Sequence, residues 1–249
     1  MTAPLRGRAL VVANASDADP GFVGERLEQR GYQLDVVLRD GVPGLPAAFE
    51  ADDRPDLLVL LGSEWSVATP HGPARLEAET VLLRSAVTGQ VPVLAICYGA
   101  QLLARAYGGE VRRAAVPEIG LVDVDTTEPE LIAPGPWSSF HTDVLVPPAD
   151  ARTLATNGCG VQAFSLPGVL AVQFHPEVRP EVLDDWADRY PALVAAAGTT
   201  RADLLQAAAG RADESRVAAY RLVDAFLDRV AGAAAAQREA PSTSPNATA

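Results

Sequence analysis

Two cysteines, three histidines and little positive charge limit what this 249-residue chain can be. Cys97 and Cys159 are too few for a disulfide framework, so a reducing, cytoplasmic setting is expected. The formal net charge of -12 gives a surface that repels phosphate backbones and anionic membranes, so neither nucleic acid nor membrane is an expected partner. Nowhere does an apolar run reach the roughly 18 residues a membrane helix needs. The one near the start, in "MTAPLRGRALVVAN", is too short for a secretory signal. His71, His141 and His175 are scattered without Cys/His ligand spacing, so no metal site is expected. A G-x-x-x-x-G-K loop is missing, which removes that route to ATP.

What is present is enough apolar residue, 48%, to bury a sizeable core. "RALVVAN" (8–14), "YQLDVVL" (32–38), "DLLVLLG" (56–62) and "VPVLAI" (91–96) read as strands. Helical patterns over 20–31, 73–89 and 99–107 accompany them. Fully apolar strands alternating with helices predict an α/β protein with a parallel sheet covered on both faces. After Gly109 the strands "IGLVDVD", "VLVPP", "RTLATNG", "VQAFSL" and "VLAVQFHPE" follow one another without helices, so a mixed or antiparallel extension of the sheet is expected. Residues 180–232 are helical by period, and "VAAYRLVDAFLDRV" carries an apolar stripe suited to core packing or to a partner. One domain over 1–236, with a helical extension from 180, and a Pro/Ser/Thr-rich tail over 237–249 are the expected divisions.

Within "VPVLAICYGAQLLARAYGGEV" (91–111), Cys97 falls at a sharp turn from strand to helix. Strand carboxyl ends are where ligands gather in parallel sheets, and a helix N-terminus favours a thiolate. Gly99 and Ala100 keep bulk away, and the Tyr98 N–H points toward whatever the sulfur attacks. A buried structural cysteine would fit the same position. His175 ends the apolar strand of "LAVQFHPEV", with Glu177 two residues on and Pro176 holding the chain extended. Read as function, Glu177 orients an imidazole that takes the thiol proton. Read as structure, they are a strand-end histidine and a surface acid.

Taken together, "AICYGAQLLA" and "VQFHPEV" resemble the nucleophile motif G-x-C-x-G-x-Q and the H-P-E signature of class I glutamine amidotransferases, across about residues 56–185. "EIG" (118–120), Gly108–Gly109, "HTD" (141–143) and "VQAF" (161–164) fit the same pattern, similar to free-standing members related to the amidotransferase part of GMP synthase. The resemblance implies a flavodoxin-like three-layer fold and needs no cofactor. It implies Cys97 as nucleophile, His175 as base and Glu177 as its orienter, with the Tyr98 N–H in the oxyanion hole and Gln101 on the glutamine side. The expected reaction is hydrolysis of a glutamine side-chain amide through a γ-glutamyl thioester. The nitrogen goes either to a separate synthetase partner or, from a γ-glutamyl amide of a larger amine, to solvent; a silent module of the same fold is the third reading.

The chain departs from the motif at Ala95, where the family has glycine, and at "LLGSEWSV" (60–67), where relatives carry Gly-Gly-Pro. That loop donates the second oxyanion N–H in the family, here from Gly62 and Ser63. A left-handed Ser63 would be strained, while Glu64 and Trp65 would reshape the entrance and the choice of substrate. His141 with Asp143 either lines the pocket or forms a structural pair. His71 reads as a surface residue and Cys159 as incidental.

Overall fold

The computed structural model describes residues 6–39, 45, 46, 49, 53–68 and 73–232. His71 and the 237–249 tail lie outside them. In chain order the first half runs β1 (Gly7–Ala13), α1 (Gly21–Gln29), β2 (Tyr32–Leu38), β3 (Leu57–Leu60), α2 (Pro73–Thr88), β4 (Val93–Ile96) and α3 (Tyr98–Ala106). The second half holds β5 (Glu110–Val122), β6 (Asp125–Thr126), β7 (Trp137–Val146), β8 (Arg152–Asn157), β9 (Gly160–Leu166) and β10 (Val169–Val172). Four helices follow, α4 (Pro180–Arg189), α5 (Pro191–Ala196), α6 (Arg201–Gly210) and α7 (Ala212–Ala225), the last running on into a π-helical stretch, Phe226–Ala231.

The main sheet has the order β2-β1-β3-β4-β10-β9-β8-β6. Its first five strands are parallel, and β10, β9, β8 and β6 pair antiparallel. This is the expected α/β, flavodoxin-like arrangement: a mostly parallel central sheet, an antiparallel extension and C-terminal helices. Every residue of β3, β4 and β10 is buried, as strands covered on both faces require. Alternation sorts their side chains between two cores. Leu57, Val59, Leu94, Ile96, Leu170 and Val172 face α1 and α7, while Leu58, Leu60, Val93, Ala95 and Ala171 face α2 and α3.

One part of the antiparallel region departs from the sequence expectation. The strands β5 and β7 pair with each other in a separate two-stranded ribbon instead of extending the sheet. The strand β7 begins at Trp137, ahead of the "VLVPP" that marked it in sequence, so "HTD" lies inside a strand. The reason is visible in its burial. Alternate β7 residues Ser139, His141 and Asp143 are buried although polar, which hides the apolar alternation that marks a strand. A third core cluster (Val178, Leu183, Ala187, Val194, Leu204 and Ala208, against Ile119 and Phe140) ties α4–α6 to this ribbon.

Candidate active site

Pairing of β4 with β10 brings together two segments far apart in sequence. The two strands are parallel, with Ile96 beside Val172, so both chains leave the sheet on the same edge. The Cys97 N–H continues the pairing by donating to Val172 O at 2.8 Å. Three residues past Val172, the His175 N–H donates to Ser138 O at 2.7 Å and is pinned against β7. Cys97 itself has φ 48° and ψ -103°, a left-handed backbone that side chains rarely adopt. Such strain is held where the surroundings over-determine it. Here the next residue opens α3, whose first N–H groups have no partner inside the helix.

The imidazole sits between two groups. Its Nδ1 lies 2.7 Å from Glu177 Oε1, and both side chains are almost wholly buried. With Glu177 accepting there, Nε2 is left for the thiol; that atom is buried and has no hydrogen bond of good geometry. Burial opposes the imidazolium, but Glu177 and then Cys97 raise His175 well above its ordinary 6.5. The Gln173 amide nitrogen reaches the Cys97 sulfur at 3.5 Å.

Glu177 is held by its own backbone. Its carbonyl accepts from the Phe22 N–H at 2.9 Å, at the start of α1, and a Cβ on Gly21 would fall 1.9 Å from that same oxygen. Only glycine fits, at φ +51°. Asp17, in the turn after β1, lies close enough to feel both Glu177 and His175. Burial and then Glu177 push its carboxyl up to about 6, against the Trp186 hydrogen bond. Nothing in the sequence marked Asp17.

The Gly62–Ser63 turn follows β3 on the same edge of the sheet. Its glycine is needed for space: a Cβ there would lie 2.7 Å from His175 Cε1 and 3.7 Å from the Cys97 Cβ. One point thus touches both the base and the nucleophile segment. Ser63 is not among the residues with positive φ, so the turn does not ask a left-handed conformation of it. Beneath the turn lies Arg39, which sequence reasoning missed. Its guanidinium donates to Gly62 O and Asn14 Oδ1, both at 2.7 Å, to Leu61 O at 3.0 Å and to Glu79 at 3.1 Å. Its charge lies over the Tyr98 ring, 4.8 Å from the centroid, and Asn14 in turn donates to Ser63 Oγ at 3.0 Å.

A cleft opens in front of Cys97, with Gln101, His141, Asp143, Arg113, Glu64 and Trp65 among its walls. The Gln101 amide is within 3.3 Å of Gln173 Oε1 and 3.5 Å of Asp143 O. Asp143 accepts from Ser66 Oγ at 2.5 Å and faces Arg113 at 3.4 Å. His141 bonds Glu118 at 2.8 Å through Nε2. Glu64 accepts from the Tyr190 hydroxyl at 2.7 Å, and Trp65 packs beneath Arg75. Gly99 is turned away from the cleft: a Cβ there would meet Leu60 O at 2.6 Å, so its service is close packing of α3 on β3. Cys159 is exposed as a residue, and partial desolvation of its thiol together with Glu118 pushes it up to about 11. No group of three His, Cys, Asp or Glu among the described residues is placed to hold a metal.

Thiol, imidazole and carboxylate in series beside a helix N-terminus can carry out acyl transfer. Comparison with known proteins gives the family. The model for glutamine amidotransferase class-I matches residues 23–186. The chain is 38% identical over 178 residues to the glutamine-hydrolysing GMP synthase of Aeropyrum pernix, covering 66% of this chain but only 33% of that one. It is 34% identical over 152 residues to a glutamine-hydrolysing GMP synthase subunit from Sulfurisphaera tokodaii, covering 55% of this chain and 78% of that one. Among solved structures, a glutamine amidotransferase from Thermotoga maritima superposes with a TM-score of 0.77 at 21% identity, over 89% of this chain and 98% of that one. One from Methylobacillus flagellatus gives 0.78 at 23%, over 90% and 95%. The match takes in Cys97, His175 and Glu177 together with most of the cleft wall, and the chain belongs to the class I glutamine amidotransferases.

Proposed function

We propose that the protein hydrolyses the side-chain amide of glutamine, or of a γ-glutamyl amide, through a thioester on Cys97. The Cys97 sulfur attacks the amide carbon while its proton rests on His175. The N–H groups of Tyr98 and of the Gly62–Ser63 turn meet the negative charge on the carbonyl oxygen. The C–N bond breaks as His175 protonates the leaving nitrogen; water, deprotonated by His175, then releases glutamate and the thiol. Asp143 and Arg113 supply the charges opposite to an α-ammonium and an α-carboxylate, with Gln101 between them and the sulfur. The observation that carries this reading is the meeting of Cys97 and the Glu177-bound His175 against Gly62.

The test is glutamate release from glutamine by the purified chain. Cys97→Ala should abolish it while unfolding at the same temperature, and an electrophilic glutamine analogue should label Cys97. A Cys97→Ala protein that keeps most of its turnover sinks the assignment. A second reading, in which the ammonia passes to a separate synthetase partner, is favoured by the relatives named as single subunits of GMP synthase. Fast hydrolysis of glutamine by the chain alone argues against tight coupling of that kind.

A further inference from the structure

A second, partly open cavity adjoins the cleft. Ser63, Glu64, Phe140 and Tyr190 line both spaces, but the second has His175 in its wall and lacks Cys97. If the acyl carbon sits on the sulfur, the amide nitrogen must face His175, because that ring protonates it. Whatever the nitrogen carries therefore points into the second cavity. Ammonia needs no such room. The walls suit something flat and apolar: Trp186 stands edge-on to His175 with ring centroids 4.9 Å apart, and Phe140 lies 5.5 Å from Trp186 and 6.2 Å from Tyr190. Both carboxylates at its edge already have partners. Glu64 is bonded to Tyr190, and Asp17 to Trp186 with Arg189 nearby.

We propose that this cavity is a subsite for the leaving amine, and that the protein prefers γ-glutamyl amides of amines with a flat apolar body, arylalkyl amines being the class. The subsite rests on the acyl-transfer reading above. Its test uses the full chain and three substrates: glutamine, γ-glutamyl-phenethylamide and γ-glutamyl-putrescine, with glutamate release as readout. The phenethylamide should be cleaved with kcat/KM at least about 10-fold above the other two. Ser16 is exposed and lines only the second cavity, so Ser16→Trp should cut phenethylamide cleavage about 10-fold and leave glutamine hydrolysis unchanged. Should that variant fail to fold, free phenethylamine supplies the same information. Millimolar inhibition of glutamine hydrolysis supports the subsite, and no inhibition overturns it. Preference for glutamine overturns the subsite alone, and preference for the putrescine amide overturns the apolar class. Inertness toward all three, with Cys97 unreactive to the glutamine analogue, overturns the acyl-transfer reading and the subsite with it.

Discussion

Arg39 and Glu79 are each about 1% exposed at the side chain, so their ion pair is fully enclosed beneath the Gly62–Ser63 turn. Burial pushes the Glu79 carboxyl up, and Arg39 opposes that. Removing Arg39 alone strands a charge, so Arg39→Ala should destabilise by about 3–5 kcal/mol. The double variant Arg39→Met with Glu79→Leu separates folding from positioning. Its unfolding midpoint should return to within about 1–2 kcal/mol of the parent. Its kcat should stay at least about 10-fold low, because the carbonyls of Leu61 and Gly62 have lost the donor that fixes the turn. Full recovery of kcat would show that Arg39 only stabilises. At His175 the prediction concerns a titration. Its folded pKa lies above 6.5, so the His175–Glu177 pair contributes stability fully below pH 6.5 and loses it as pH rises through the folded value. Glu177→Ala removes the largest upward influence. The histidine Cε1–H resonance of His175, one of three in the chain, should then titrate at lower pH, with turnover down about 100-fold or more. These residues differ in how far the sequence shows them. Cys97, His175 and Glu177 sit in short local patterns, whereas Arg39, Asp17 and Trp186 acquire their neighbours only when separate elements pack.

One acid ties the ribbon of β5 and β7 to two strands of the main sheet. Glu118, on β5, accepts from Ser139 and bonds His141 on β7, and it accepts from Asn157 at the end of β8 and Gln162 on β9. Four strands therefore converge on two oxygens. Burial raises this carboxyl, but the His141 hydrogen bond and charge, then Cys159 and Asn157, hold it down to about 2 from an ordinary 4.5. A depressed carboxyl contributes stability that is fully present above pH 4.5 and is lost as pH falls toward 2. The shift corresponds to about 3 kcal/mol. Glu118→Gln should therefore flatten the dependence of the urea midpoint on pH between about 4.5 and 2, with a loss at neutral pH of that order. An unchanged acid limb would mean that the network is solvated and the strands are held by their ladder alone. The motif "EIG" marked this place in the sequence, but as part of a family pattern. The function of Glu118 as a tie between ribbon and sheet was not legible, since its partners lie 21 to 44 residues further along the chain.

At the scale of the molecule, the parallel half was legible because each strand and helix carries its own hydrophobic period. The antiparallel half was less so, since ribbon and sheet strands have similar short patterns and only long-range pairing sorts them. The C-terminal helices show a third case. The apolar stripe of "VAAYRLVDAFLDRV" left core and partner open, and the fold resolves it: Leu222, Val223, Phe226 and Leu227 enter the core beside α1 and the sheet. Polar contacts fix the register, with Asp224 paired to both Arg26 and Arg30 of the first helical layer. Each such apolar side chain contributes about 1.5–3 kcal/mol when buried. Four of them together match the whole net stability typical of a domain, about 5–15 kcal/mol. The matched family region ends at residue 186, yet the segment beyond it closes one face of the sheet. A chain ending at residue 210 should therefore lose cooperative unfolding in urea and bind a hydrophobic dye, although the cleft residues up to Leu193 are all retained. Should the shortened chain unfold with the same midpoint as the full one, the last helix would be an appendage, and its apolar stripe would belong to a surface that meets another molecule.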